Sequence, residues 1–87
     1  MAEKLTLRKV GQLALTEVSE LVGVPGEGVT AIRKNDDGWV VTVELLELAR
    51  IPATTDVLAS YDVHVDNDGD VTEYHRLTRY LRSQVES

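Results

Sequence analysis

The side chains of this chain that could carry out chemistry are few and widely spaced. There is no cysteine, which excludes disulfide scaffolds, thiolate zinc sites and cysteine nucleophiles. The two histidines, His64 and His75, are the only other soft ligands. If a turn sets Asp66 opposite Asp70, then His64 faces Thr72 and His75 faces Tyr61. That register holds the imidazoles apart, and zinc would still need further ligands. Ser60 and His64 share one side of a strand, but an open sheet face lacks the dry pocket that tunes a nucleophile and its base. Glu44 and Glu47 are the remaining carboxylate pair, and spacing does not fix whether they share a face, so paired acid–base work has no geometric support. We expect no catalytic residue, no metal and no cofactor, and therefore not an enzyme.

Two loops imitate ligand sites. "GVPGEG" at 23–28 has the composition of a phosphate loop, but a helix precedes it and a strand follows, the reverse of what helical N–H groups need to meet an anion. "DNDGD" at 66–70 suggests calcium, yet its glycine falls at position four from Asp66, where an EF-hand requires it at six. Both read as turns.

The formal net charge of −6 works against nonspecific binding to polyanions. It is unevenly spread: "HRLTRYLR" at 75–82 holds Arg76, Arg79 and Arg82 and no acid. Such a strip suits docking to an acidic protein surface or pairing with the chain's own carboxylates. With Tyr74 and Tyr80 interleaved it could also stack on a nucleic acid strand, a less favoured reading given the overall sign of the charge.

Those residues must be positioned by one small domain, residues 1–87, whose core is necessarily thin. Over Leu5–Val22 the apolar residues Val10, Leu13, Ala14, Val18, Leu21 and Val22 recur at helical spacing, and Gly23 followed by Pro25 ends the helix. From Val29 the pattern becomes that of strands. "NDDGW" predicts a three-residue hairpin loop with Gly38 left-handed, pairing Asn35 with Trp39, Arg33 with Val41 and Ala31 with Val43. Trp39, Val41, Val43 and Leu45 share a face, after which the phase slips to Leu46 and Leu48, so a β-bulge is expected near Leu45 and Leu46. Pro52 interrupts pairing at "IPATT". Val57, Ala59, Tyr61, Val63 and Val65 then alternate with polar residues, and a last strand runs from Val71 to about Leu81, with Tyr74 and Tyr80 on one side and Leu77 and Leu81 on the other.

The expected fold is α+β: one N-terminal helix packed on a curved four-stranded antiparallel β-meander, in the order α-β-β-β-β. One helix covers one face, while Ile32, Val40, Leu46, Leu48 and Leu58 suggest apolar content on both, leaving surface for a partner or a homodimer. Neither a signal-peptide pattern nor a membrane-length apolar run occurs, and a cytoplasmic protein is expected.

Several strings are more specific than a strand pattern: "EGVT", "DDGW", "VTVELLEL", "RIP" followed by "TTDVLASYDV", and "EYHRLTRYLR". Together they resemble the gas vesicle protein O family, especially its actinobacterial branch, over about two thirds of the chain. The resemblance implies a non-enzymatic accessory or minor structural protein of gas vesicle formation, acting through other gas vesicle proteins. A role in regulating vesicle transcripts is the alternative it implies. Relatives often carry a longer charged N-terminal extension, whereas this sequence starts almost at the helix. On this reading the partner-binding residues are Glu44, Glu47, Arg50, Arg76, Arg79 and Arg82, around the slipped strand, the "RIPATTD" connector and the last strand.

Overall fold

A computed structural model describes residues 5–84, with the side chain of Gln84 left out. The elements are α1 (Leu7–Val22), β1 (Gly26–Asn35), β2 (Gly38–Leu48), β3 (Val57–Asp66) and β4 (Val71–Leu81), with short 3-10 turns at Ala53–Thr55 and Arg82–Gln84. The strands form one antiparallel sheet in the order β1-β2-β3-β4. This is the α-β-β-β-β arrangement expected.

Helix α1 begins where Thr6 adopts an extended backbone and its hydroxyl accepts the Lys9 N–H, a cap that stabilises an otherwise unpaired first turn. It ends at Gly23, whose φ of 86° suits only glycine at low cost while its N–H returns to the Ser19 carbonyl. Val10, Ala14 and Val18 are fully buried against Val41, Val43, Leu45, Ala59, Tyr61, Val63 and Val65. That face is therefore the interior. Leu21, placed on the apolar stripe by spacing alone, is instead 58% exposed at the end of the helix.

The β1–β2 hairpin differs from the expected one by a residue. Asn35 pairs with Gly38, not Trp39, and the partners of Arg33 and Ala31 are Val40 and Thr42. The Asn35 side chain accepts the Asp37 N–H, an Asx turn that closes the loop over two residues. Gly38 becomes the first residue of β2, with φ 150° and no left-handed helical turn. Because a one-residue slip exchanges faces, Ile32 lies opposite Val41 and packs on the core, where we had expected it on the outer face.

On that outer face Val40 and Leu58 are buried even without a helix. Their cross-strand neighbours are Arg33 and His64 for Val40, and Leu46 and Tyr80 for Leu58. Long flanking side chains thus remove much of the apolar surface that sequence assigned to a partner. The exposed large apolar residues of the sheet end and its connector are Leu48, Ile51, Tyr74, Leu77 and Leu81.

A bulge does restore phase in β2, between Leu46 and Leu48, so the extra residue is Glu47 rather than one near Leu45. Pairing stops at the connector as predicted, which contains a cis Ile51–Pro52 bond and the first 3-10 turn. Two further bulges lie in β4. The register passes from Val65↔Val71 to His64↔Glu73 and from Ser60↔Thr78 to Tyr61↔Arg76, leaving Thr72 and Leu77 as extra residues. Bulges add twist, and the sheet coils enough for Arg82, just past one edge strand, to reach Glu27 on the other.

Candidate functional site

The 16-residue helix is about 24 Å long and the 11-residue β2 roughly 36 Å, so α1 cannot cover the whole inner face. It packs chiefly on β1 and β2, least on β4. Beside it, towards β4, lies a charged cluster. Tyr61, part of the core, donates its hydroxyl to Glu47 Oε2 at 2.9 Å. Arg79 Nε lies 3.0 Å from Glu47 Oε1 and Arg76 Nη1 3.4 Å from Oε2. The Glu47 side chain is only 13% exposed, whereas the two arginines are about half exposed. Burial, then the hydrogen bond to Glu47, raises the Tyr61 phenol above its usual range.

A second cluster clasps the coiled end of the sheet. Asp56, 5% exposed, accepts the backbone N–H of Arg50 at 2.8 Å and is 3.1 Å from both Nε and Nη2 of Arg82. Arg82 continues to Glu27 at 3.2 Å, and its N–H donates to the Asp56 carbonyl. The Arg50 N–H is the strongest influence holding the Asp56 carboxyl below its usual range, assisted by Arg82 and opposed by burial.

Glu44 is not in either cluster. It sits across from Ser60 on the outer face and accepts the Tyr80 hydroxyl, whose pKa is raised by burial and by this bond. The expected partner-binding residues therefore divide: Glu47, Arg76 and Arg79 meet on the helix side, the Arg82 guanidinium and only the backbone N–H of Arg50 meet at Asp56, and Glu44 stands on the reverse. Tyr74 also parts from Tyr80, lying opposite Val63 with its ring 6.1 Å from Tyr61. The two tyrosines form no continuous stacking row.

The histidines correct the sequence reading most sharply. The bulge at Thr72 sets Glu73, not Thr72, opposite His64, and His75 opposite Asp62, not Tyr61. All share the outer face, and the rings meet edge to face with centroids 5.7 Å apart. Glu73 lies 3.7 Å from each imidazole.

"DNDGD" is a turn in the structure too: Asp66 Oδ1 accepts the N–H groups of Asp68 and Asp70, and Gly69 takes a φ of 89°. A surface recess of about 360 Å³ runs along α1 beside Lys9, Gln12, Leu13, Thr16 and Glu17, away from both arginine clusters. Spacing had missed Asp56, Tyr61 and Tyr80 as anchors of these networks; an acid and a basic residue at the two ends of one hairpin were the only available signal for Asp56 and Arg82. No helix among the described residues is long and apolar enough to cross a membrane.

A short helix on an open, bulged meander, with ion-paired side chains gathered along one edge strand, defines a small α+β domain built around its surface. The family model described as "Gas vesicle synthesis protein GvpO" matches residues 1–86. The chain belongs to this family. It is 42% identical to gas vesicle protein O of Streptomyces sp. (strain CB03234) over 82% of this chain and 56% of that protein. It is 33% identical to gas vesicle protein O1 of Halobacterium salinarum over 97% of this chain and 71% of that protein, and 39% identical to gas vesicle protein O of Haloferax mediterranei over 76% and 48%. The chain thus spans about half the length of two of these relatives. No solved structure matches it.

Proposed function

We propose that this chain takes part in gas vesicle formation as a non-enzymatic accessory or minor structural protein of the cytoplasm, acting by contact with other gas vesicle proteins. The contact surface is β4 with the connector before β3. The observation that supports this most directly is the state of β4: an 11-residue edge strand in which no residue is buried. Such an edge presents unpaired ladder groups, and an added strand from a partner would satisfy them.

The side chains along the edge suit an extended segment that mixes acidic and apolar residues. Arg76 and Arg79 are held by Glu47 and keep guanidinium donors beyond those used there. Tyr74, Leu77 and Leu81 offer exposed apolar area between them. Arg82 extends the surface through the Asp56 clasp, and Arg50, whose backbone N–H is tied to the same carboxylate, stands in the connector beside it. Glu44, on the reverse, would meet a partner only as the added strand's alternate side chains pass over the edge.

Co-purification of the other gas vesicle proteins with the tagged chain tests this. A Leu77→Asp/Arg79→Gln variant with an unchanged circular dichroism spectrum should lose its partners and lower vesicle yield. Wild-type capture and yield from that variant would remove β4 as the contact surface. Light scattering on the isolated chain separates a second copy, the competing occupant of the edge, from a different partner.

A further inference from the structure

We propose that His64, Glu73 and His75 form a binding site for a divalent transition cation of the zinc class, bridging β3 and the edge strand β4. The donor atoms of the three side chains all lie within 4.8 Å of one another, with His64 Nδ1 and His75 Nε2 each 3.7 Å from a Glu73 oxygen. A tetrahedral zinc ion with bonds of about 2.0–2.2 Å spaces its ligands roughly 3.3 Å apart. The separations of 3.7 Å need to close by about 0.4 Å and the widest by about 1.5 Å, and the Glu73 and His75 side chains, each more than half exposed, have solvent around them in which to move.

The backbone supplies the arrangement. Glu73 and His75, one residue apart on β4, project to the same side as His64 because the Thr72 bulge has moved the register. The Thr72 hydroxyl donates to the His64 carbonyl at 3.3 Å, which ties the bulge to the ligand strand. Two imidazole nitrogens and one carboxylate oxygen form a donor set that favours zinc and its neighbours over calcium or magnesium. Three protein ligands leave a fourth position open, and a cleft of about 180 Å³ lined in part by His64, Glu73, Asn35 and Asp37 opens beside it with room for water. Asp62, across from His75, has its two oxygens engaged by the Thr42 hydroxyl at 2.7 Å and by Arg33 at 3.7 Å, and it is not one of the three donors.

Because these are the chain's only two histidines and it has no cysteine, the site can be tested without ambiguity. Untagged protein freed of metal by chelator and titrated with Zn2+ should bind one ion per chain in the micromolar range, and Co2+ should develop visible d–d absorption. Loss of even a supporting group at a metal site typically costs 10–100-fold, so His64→Asn, His75→Asn and Glu73→Gln should each weaken Zn2+ binding by about tenfold or more. Both imidazoles should shift in the NMR spectrum on saturation. The proposal is overturned if no saturable binding occurs below about 1 mM, or if the His64→Asn/His75→Asn double variant keeps the wild-type affinity, which would place the ion on surface carboxylates.

Discussion

Tyr61 and Glu47 are joined by a 2.9 Å hydrogen bond that links the sealed core to the arginine cluster of the edge strand. The bulge makes this possible, because Glu47 is the extra residue of β2 and turns toward the helix-side face while Glu44, three positions earlier, turns away. A strand without the bulge would leave Arg76 and Arg79 without their shared carboxylate. Tyr61→Phe should cost about 1.5–3 kcal/mol, the usual range for a hydrogen bond to a charged group. In a domain of this size each kcal/mol lowers Tm by roughly 4–8 °C, so calorimetry resolves the effect easily. An unchanged Tm would mean the bond contributes nothing to the fold.

The acid limb of stability should depend on Asp56. Its folded pKa lies below the ordinary 3.8, so its contribution is fully present above that value and is lost as pH falls through the folded pKa. Urea denaturation between pH 7 and pH 2.5 should show a decline at the acid end that Asp56→Asn flattens. An identical decline in the variant would assign it to other carboxylates.

The alkaline limb should depend on Tyr61 and Tyr80. Both phenols are raised above 10.0 in the folded protein, so the stability they supply is complete below pH 10 and is lost as pH rises through their folded values. The double Phe variant should show a shallower fall in urea midpoint above pH 10. A fall as steep as in the wild type would contradict the assignment.

Gly38 should be far less tolerant than Gly28. A Cβ at Gly38 would fall onto the Val65 carbonyl oxygen and 2.7 Å from Asp66 Cα, both backbone, while one at Gly28 meets nothing within 4 Å. Gly38→Ala should therefore cost about 2 kcal/mol or more, in the range of other strained backbones, and Gly28→Ala a small fraction of that. Equal Tm values for the two variants would contradict the close approach of β2 to the β3 backbone at Gly38.

The element order, the helix stop at Gly23 and the alternation of β3 were legible in the sequence because each is a local signal: a periodicity, a glycine, a proline. The hairpin register at "NDDGW" was not, because the choice between a two- and a three-residue loop turned on one Asn35–Asp37 hydrogen bond. The candidate sites depended on bulges. In β4 no residue is buried, so its hydrophobic pattern carried little information about where Thr72 and Leu77 would be squeezed out. Those two residues decide that His75 meets His64, that Arg76 faces Tyr61 and that Arg82 arrives at Asp56. The Glu47 bulge was visible one step away, since Leu46 and Leu48 break the phase of a strand whose buried residues are otherwise regular.

The proposed contact role of β4 is tested most directly by hydrogen–deuterium exchange on the chain alone and on the chain together with whichever gas vesicle protein co-purifies with it. We predict slowed exchange concentrated in residues 71–82 and in the connector 49–56, with the α1 amides unchanged. Protection confined to α1, or no change anywhere in a stable complex, would contradict the assignment of the edge strand as the surface through which this protein works.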